Sequence, residues 1–280
     1  MPKIVLSQND MRAIIDYPTS HDIEWPNKVV YPGPGQKPLS LALTYTKLKD
    51  FESCPRKFMK KHLTHEIPYT DTPATLWGTH VHSSYENYVL NDQPLPKDVR
   101  EKVGSTAPDK IIDIENKLYD EGKLAVPLFG EQKWAMDATG RYANWMDSKG
   151  VFMRGMADAG LGTKKVLYMF DYKTGKDKNP DVTQFDVLSL LAVAQPQFTQ
   201  YTDIRGMLMF VEARSVYPKT GFYQVDMTPG MGHLNMLRLW QKKAIQVVDY
   251  YQREYWPEKQ SVLCKWCPDK TCPFNTSDDK

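Results

Sequence analysis

The sequence predicts a domain of the α/β class, on two observations. Strand-type runs at 151–161 and 165–173 occupy the middle of the chain and are separated by glycines and lysines, which is typical of a hairpin. Helix-type patterns precede and follow them, and the last is a long amphipathic segment at 230–256. A chain of 280 residues, 41% of them hydrophobic, can bury one full core. Because no internal repeat is visible, we predict one α/β domain with insertions.

The first 40 residues differ in character from the rest of the chain. Prolines and glycines recur there among polar residues, as in the run at 31–35, and no apolar period is sustained. We therefore predict an extended arm over residues 1–40, which lies over the domain or binds a protein partner. A single domain is expected over residues 41–280.

Apolar residues spaced by three and four positions predict helices in the N-terminal half, at 44–52, 55–62, 74–90, 109–122 and 137–149. Thr46 is the expected N-cap of the first helix, and Pro55 begins the second. A short strand is expected at 130–136. After the central hairpin, the patterns predict a helix at 181–194, strands at 206–214 and 222–227, and the helix at 230–256, which Pro257 ends.

Charge and hydropathy narrow the class of protein. The chain has 36 Lys and Arg against 34 Asp and Glu, so its overall charge of +2 does not identify a polyanionic partner. The longest apolar runs have only the length of a strand, as at 166–170, and the N-terminus lacks the pattern of an export signal. We expect a cytoplasmic protein with no membrane partner.

Asp158, Asp171 and Lys173 form the densest group of chemically active residues. Residues two apart in a strand share a face, so Asp171 and Lys173 should face one pocket while Tyr172 points to the other side. If the hairpin brings Asp158 opposite Asp171, their carboxylates can hold Mg²⁺ or Mn²⁺. Lys173 can then orient or deprotonate a water molecule and offset charge on a phosphate.

A D-x-K tripeptide alone is common, and its ordinary explanation is two surface acids beside a solvated lysine. Here, however, Asp171 ends the apolar run at 166–170, which is expected to be buried. A carboxylate at the end of a buried strand is unfavourable unless it is paired or bound to a metal. This context favours a functional site.

Four segments, in order along residues 44–185, resemble the motifs of the PD-(D/E)xK nuclease superfamily. Within it they are similar to the RecB-like group, which includes phage exonucleases and iron–sulfur CRISPR adaptation nucleases. The segments cover 51–58, 78–82, 155–158 and 171–175. The resemblance implies a restriction-endonuclease-like core, in which helices flank a central mixed β-sheet, with N-terminal helical insertions and a long C-terminal helix. For a viral protein, it implies a location in the host-cell cytoplasm.

The resemblance also implies roles for individual residues. The metal-binding residues that it implies are His82, Asp158, Asp171 and Tyr172. The catalytic residues that it implies are Asp158, Asp171, Lys173 and Gln184. Lys173 corresponds to the catalytic lysine, and Gln184 to the glutamine that positions phosphate or water. Leu188 departs from the pattern, because the family often has a tyrosine there.

Three other residues near the motifs are weaker candidates. His80 competes with His82 as the metal-binding histidine, and the spacing from Gly78 favours His82. Glu86 lies one turn beyond His82, where it either orients the imidazole or is a solvated helix acid. Glu131 precedes the predicted central hairpin, at a position where relatives sometimes carry an acid.

The four cysteines form a second group. Cys264, Cys267 and Cys272 crowd near the C-terminus, whereas Cys54 lies far earlier. C-x2-C is a ligand spacing, and in a long chain without an export signal it favours metal or cluster ligation over disulfides. Iron–sulfur nucleases of the RecB-like group place cysteines in similar positions, so the resemblance implies a 4Fe–4S cluster. Zinc and unligated thiols are the alternatives.

Basic and aromatic residues near the motifs are candidates for contact with a nucleic acid. The basic residues are Arg56, Lys57, Lys60, Lys61, Lys164, Lys165, Lys176 and Lys178. The aromatic residues, as candidates for stacking on bases, are Trp77, Tyr172 and Trp266. Basic runs are more often simply solvated faces, so they support such a partner only together with the site.

The resemblance and the residues together predict a metal-dependent DNA nuclease that hydrolyses phosphodiester bonds. We expect an exonuclease that acts on DNA ends or single-stranded regions in phage-type recombination, replication or DNA processing. The alternatives are a catalytically inactive DNA-binding or assembly protein on the same fold, and a metal-dependent hydrolase of small phosphate esters. The presence of His82, Asp158, Asp171 and Lys173 together argues against the inactive protein.

Overall fold

The computed structural model describes residues 42–147 and 151–276. The arm predicted over residues 1–40 lies outside the described residues, so its role stays a prediction. No helix in the described part of the chain combines the length and apolar character needed to cross a membrane.

Along the described part of the chain, a block of helices precedes five consecutive strands, one helix follows them, and three strands and a long helix complete the order. The helices are α1 (Tyr45–Ser53), α2 (Pro55–Phe58, continued by a π-helical turn at Met59–Leu63), α3 (Pro73–Asn91), α4 (Lys97–Lys102), α5 (Thr106–Asp120), α6 (Gln184–Ala194) and α7 (Gly232–Gln252). The strands are β1 (Leu124–Phe129), β2 (Gln132–Met136), β3 (Met153–Ala157), β4 (Ala159–Thr163), β5 (Val166–Lys173), β6 (Asp203–Phe210), β7 (Ser215–Tyr217) and β8 (Tyr223–Asp226). A short 3₁₀ turn, Cys264–Trp266, lies near the end.

The main sheet is mixed. Its strand order is β1-β4-β5-β6-β7, and β8 also pairs with β6. β5 and β6 run parallel, whereas the other pairs are antiparallel. β2 and β3 form a separate antiparallel pair. This arrangement confirms the predicted α/β class, with a central mixed sheet flanked by helices.

Helices cover both faces of the sheet. On one face, α6 packs against β3, β6 and α7. Phe185 of α6 comes so close to β6 that a Cβ at Gly206 would lie 2.3 Å from its ring, and only glycine permits that approach. On the other face, Val81 and Tyr85 of α3 pack with Ile111 of α5 against β5 and β6. The catalytic candidates on β5 therefore lie on a strand that is covered on both sides.

Most predicted elements are present, and two predictions were wrong in detail. Thr44, not Thr46, caps α1, because its hydroxyl accepts from Lys47 N at 3.1 Å. The run at 151–161 is two strands, β3 and β4, which belong to different sheets. Strand β1 and helix α4 had no clear signal in the sequence.

The helix predicted at 137–149 is not formed in its described part, residues 137–147, which consists of turns. The Asp137 carboxylate accepts from the backbone N–H groups of Thr139 and Arg141. Gly140 has a φ of 81°. A side chain that bonds its own backbone in this way competes with helix formation, and glycine in the left-handed region completes the turn.

Candidate active site

Asp171 and Lys173 lie side by side at the C-terminal end of β5. Lys173 Nζ is 2.7 Å from Asp171 Oδ2, as expected for residues two apart on one face of a strand. Tyr172, between them, points to the opposite face, where it packs 5.0 Å from the Tyr85 ring and is 3% exposed. The strand period therefore places Asp171 and Lys173 on one face of β5 and the Tyr172 ring on the other.

Asp158 occupies the bend between β3 and β4. Its Oδ2 accepts from the backbone N–H of Tyr172 at 2.8 Å, which holds the carboxylate against β5. The structure thus brings Asp158 to the Asp171–Lys173 pair, as the hairpin interpretation expected. The bend that divides the predicted strand is what turns this side chain toward β5.

Asp171 is buried beside Asp158. Burial raises the pKa of Asp171, and the negative charge of Asp158 raises it further, to about 6, although Lys173 and His82 act in the opposite direction. Two neighbouring carboxylates in a buried position favour the binding of a positive charge.

His82 projects from α3 toward the same acids. Its Nδ1 lies 3.4 Å from Asp158 Oδ2, and its ring is 5.7 Å from the Tyr172 ring. Burial lowers the pKa of His82, but the hydrogen bond and charge of Asp158 outweigh this, so the pKa is raised overall. The structure therefore adds an imidazole to the two carboxylates.

The donor set fits a divalent cation. Two carboxylates and one imidazole suit Mg²⁺ or Mn²⁺. Within residues 42–147 and 151–276, no three His, Cys, Asp or Glu side chains are already arranged as a metal site. Each donor instead contacts a protein partner: Asp171 contacts Lys173, and Asp158 contacts His82 and a backbone N–H. A cation must therefore compete with these contacts.

Gln184 completes the group from the first turn of α6. Its Oε1 accepts from Lys173 Nζ at 2.9 Å, and its Nε2 is buried with no hydrogen-bond partner among the described residues. Leu188, one turn further, is buried beside β3, where its side chain would lie 3.3 Å from a Cβ at Gly155. The hydroxyl that a tyrosine would bring to this position is replaced by apolar packing.

A family model describing the PD-(D/E)XK nuclease superfamily matches residues 42–273. The chain belongs to this superfamily. The superfamily predicted from the motifs is thereby confirmed, and membership supports a nuclease. No curated protein sequence matches this chain significantly. A solved structure titled "Crystal structure of SSO0001" aligns with it at a TM-score of 0.37 and 11% identity, covering 94% of this chain and 93% of the other.

The weaker candidates of this nuclease lie away from the acids or have other partners. His80 is exposed, with Nε2 3.0 Å from Asp98 Oδ2. Glu86 accepts from the backbone N–H of Glu131 at 3.0 Å, so it fixes the turn before β2. The Glu131 carboxylate is itself exposed and pairs with Lys133.

The aromatic candidates differ in exposure. Tyr172 is buried, so its ring is not accessible for stacking on a base. Trp77 donates its indole N–H to Glu212, and Lys102 lies 4.1 Å above its ring. Trp266 is 67% exposed. Lys265 Nζ lies 4.0 Å from the centre of the Trp266 ring, so this ring too has a cation over one face, although it is the most exposed of the three.

The basic residues around Pro55 hold the fold together. Arg56 and Lys60 both bind Asp269, at 2.8 and 2.9 Å. Lys57 and Lys61 contact Asp50 at 3.7 and 2.8 Å. These four side chains are therefore already paired with acids of the fold, and contact with a nucleic-acid backbone would have to compete with those pairs.

The other basic candidates divide between the two ends of β5. Lys164 and Lys165 are exposed at its N-terminal end, about 26–30 Å from Lys173 along the strand at about 3.3 Å per residue. Lys176 and Lys178 are exposed just beyond Lys173. Only this second pair neighbours the catalytic candidates.

The cysteine segments meet through neighbouring residues. All four cysteines are free thiols, of which Cys272 is buried. Arg56 N donates to Pro257 O at 3.2 Å, and the Asp269 ion pairs tie the C-terminal segment to α2, directly after Cys54. Sequence reasoning missed Asp269. The sequence did contain one indication: Arg56 and Lys60 are two cations one helical turn apart, a spacing at which one acid can bind both.

Proposed function

We propose that this nuclease is a divalent-metal-dependent deoxyribonuclease that hydrolyses phosphodiester bonds as an exonuclease on DNA ends. The observation that carries the proposal is the group of Asp158, Asp171 and Lys173 at the end of β5, in a chain of the nuclease superfamily. Action on DNA ends rests on the resemblance of the motifs to RecB-like phage exonucleases.

Asp158, Asp171 and His82 are the residues whose side chains would hold the cation. Tyr172, whose ring packs against Tyr85 on the opposite face, would contribute only its backbone carbonyl oxygen. Mg²⁺ or Mn²⁺ supplies a Lewis acid that polarises a phosphate oxygen and lowers the pKa of a bound water molecule. Carboxylate oxygens suit both ions, and the imidazole nitrogen makes the softer Mn²⁺ acceptable.

Lys173 and Gln184 act on the phosphate and the water. The Lys173 ammonium lies between Asp171 and the Gln184 carbonyl oxygen, which fix its position. From there it orients the attacking water or offsets the negative charge that develops on the phosphate. The Gln184 Nε2, which has no partner among the described residues, is available to donate to a phosphate oxygen.

Incubation with end-labelled DNA tests the proposal. Purified protein is mixed with linear single-stranded, linear double-stranded and covalently closed circular DNA, with Mg²⁺, Mn²⁺ or EDTA. We expect mononucleotides or short products from linear DNA, with circular DNA resistant. Cleavage of circular DNA would show that the protein is an endonuclease and not an exonuclease. Binding without cleavage would favour the inactive DNA-binding protein, and turnover of p-nitrophenyl phosphate alone would favour the small-ester hydrolase.

Two lysines of β5 and its preceding turn provide a matched comparison. Lys173→Met should reduce cleavage about a thousandfold or more, because it removes a charge in contact with the reacting group. Lys165→Met removes an exposed lysine at the other end of the strand and should leave cleavage unchanged. Equal activity of the two variants would remove Lys173 from the site.

For Cys54, Cys264, Cys267 and Cys272 we propose a shared 4Fe–4S cluster with a structural role. The support is that the contacts of Arg56 bring the C-terminal segment to the helix that follows Cys54. No three of these thiols are already grouped as a metal site within the described residues, so they must move to share one ion or cluster. The visible absorption spectrum of anaerobically purified protein, with iron and zinc contents, distinguishes a cluster from zinc and from free thiols.

A further inference from the structure

A cavity lies one strand away from the catalytic candidates, between the start of α5 and the turn that joins β6 to β7. Its volume is about 320 Å³. Phe210 on its wall is the register partner of Lys173, and Val211 N donates to Lys173 O at 3.0 Å. Met209 and Val211 belong to the sheet face opposite to that of Asp171. The cavity is therefore a neighbour of the active site and not a part of it.

Three cationic side chains line this cavity: half-buried Lys110 of α5 and the exposed Arg214 and Lys219. Its lining contains no Asp or Glu. Within the described part of the chain, none of the three cations forms an ion pair with an acid. Their charges are therefore available to a ligand, unlike those of Arg56 and Lys60.

Acids that adjoin the lining residues have partners of their own. Asp109, beside Lys110 in α5, accepts from the Tyr88 hydroxyl at 2.8 Å. Glu212 binds the Trp77 indole N–H and lies 3.3 Å from Lys102. Asp177 accepts from the hydroxyl of Ser215, a lining residue, at 2.9 Å, so one negative charge borders the rim. The lining itself contains three cations and no acid, so the cavity is positive overall.

Backbone donors reinforce the positive charge. Thr106 and Ala107, the first two residues of the 15-residue helix α5, line the cavity. Their N–H groups have no acceptor within the helix, and Ser105 supplies no side-chain cap. Unpaired N–H groups and the positive end of the helix dipole favour an anion.

Arg214 occupies a backbone position that suits glycine. Its φ is 51°, in the left-handed region, where a side chain other than that of glycine is strained. Its Nη2 reaches toward Gly104, the residue before the cap of α5, at 4.0 Å from the position of a Cβ there. The turn thus holds a guanidinium beside the start of α5 at some conformational expense, which points to a role for the side chain.

We propose that this cavity binds a phosphate group of the nucleic-acid strand that the active site cleaves. The inference rests on the proposed function and extends it to the path of the substrate. Arginine and lysine with backbone N–H groups are the donors that bind phosphate oxygens. Lys176 and Lys178 flank Asp177 at the rim and follow Lys173 directly, so exposed positive charge joins the active site to the cavity.

A phosphate-by-phosphate binding experiment tests this inference. Fluorescent single-stranded DNA, with one uncharged methylphosphonate linkage placed at successive positions, is titrated against an Asp171→Asn protein and against the same protein with Arg214→Gln. We expect one linkage position to lower affinity about tenfold in the first protein and to have no effect in the second. Arg214→Gln should also reduce the slope of log Kd against log salt by about one. Oligonucleotides with and without a 5′-phosphate show whether the bound group is terminal or internal.

Control variants separate charge from folding. Lys117→Gln removes an exposed lysine from the far end of α5 and should leave the salt slope unchanged. Arg214→Gly relieves the strained φ, so it should raise the melting temperature and still weaken binding.

Two results would overturn the inference. If the methylphosphonate effect is equal with and without Arg214, or if Arg214→Gln and Arg214→Gly bind as tightly as their parent, the cavity takes no phosphate, although the cleavage activity stands. If the wild-type protein neither binds nor cleaves DNA, the proposed function falls together with the inference.

Discussion

Replacement of Asp269 by Asn should destabilise the C-terminal segment by about 3 kcal/mol. Asp269 is 5% exposed and receives hydrogen bonds from Arg56 Nε and Lys60 Nζ. Removal of one partner of a buried ion pair costs about 3–5 kcal/mol, because the remaining charge is left uncompensated. We expect a loss at the lower end of this range, because two acids still compensate the cations: Arg56 also pairs with Glu258 at 2.8 Å, and Lys60 with Glu66 at 3.3 Å.

Asparagine removes the charge and keeps the shape. Its Oδ1 can still accept from Lys60 and from Thr271, as the carboxylate does. Its amide nitrogen would replace Oδ2 opposite Arg56 Nε, so that two donors face each other. In the double variant Arg56→Met/Asp269→Asn this conflict is absent, and the loss of stability should be smaller than the sum of the two single losses.

Hydrogen exchange and thermal unfolding measure the effect. We expect faster exchange of the amides in residues 257–276, and a melting temperature lower by about 6–12 °C if the segment unfolds with the core, at about 2–4 °C per kcal/mol. Glu121→Gln, which breaks an exposed pair with Lys123, should change neither measurement. Unchanged exchange and melting in Asp269→Asn would refute the idea that this acid holds the C-terminal segment.

Four further predictions concern the site and its surroundings. EDTA should stop DNA cleavage and added Mn²⁺ restore it; full activity after exhaustive chelation would contradict the metal assignment. Gln184→Leu should lower kcat about a hundredfold at an unchanged melting temperature, and an unchanged kcat would exclude its role. Burial raises the pKa of Asp181, but hydrogen bonds from Thr183, Tyr45 and Lys49 outweigh this effect and hold the pKa below its usual range. Asp181→Asn should therefore lower the melting temperature at pH 7, and the difference from the wild type should shrink as the pH falls below about 4. A difference that stays constant with pH would contradict this role of Asp181. Cys272→Ser should lower stability and DNA affinity more than the cleavage step, which single-turnover kinetics would show.

The positions of Asp171, Tyr172 and Lys173 were predictable from the sequence because they depend on local geometry. A strand alternates its side chains with a period of two, so the acid and the lysine had to share a face. The apolar run at 166–170 placed the acid at the end of a buried strand. The same local rule predicted most helices, since spacing by three and four residues reports one buried face.

Local patterns failed where a side chain changed the path of the backbone. Asp137 bonds its own turn and prevents the helix expected at 137–149. Asp158 lies at the bend that divides one predicted strand into two. Hydrophobic periodicity cannot report either event, because the deciding contact is a polar bond that interrupts the pattern.

The use of the basic residues depended on the tertiary structure. Arg56 and Lys60 look like the nucleic-acid contacts of a basic helix until residue 269, more than two hundred positions later, supplies their acid. Lys110 and Arg214 attract no attention in the sequence, yet the packing of α5 against the β6–β7 turn sets them around one cavity. Whether a charge is used inside the fold or offered to a ligand depends on which distant groups lie within about 4 Å of it, and only the folded chain determines those distances.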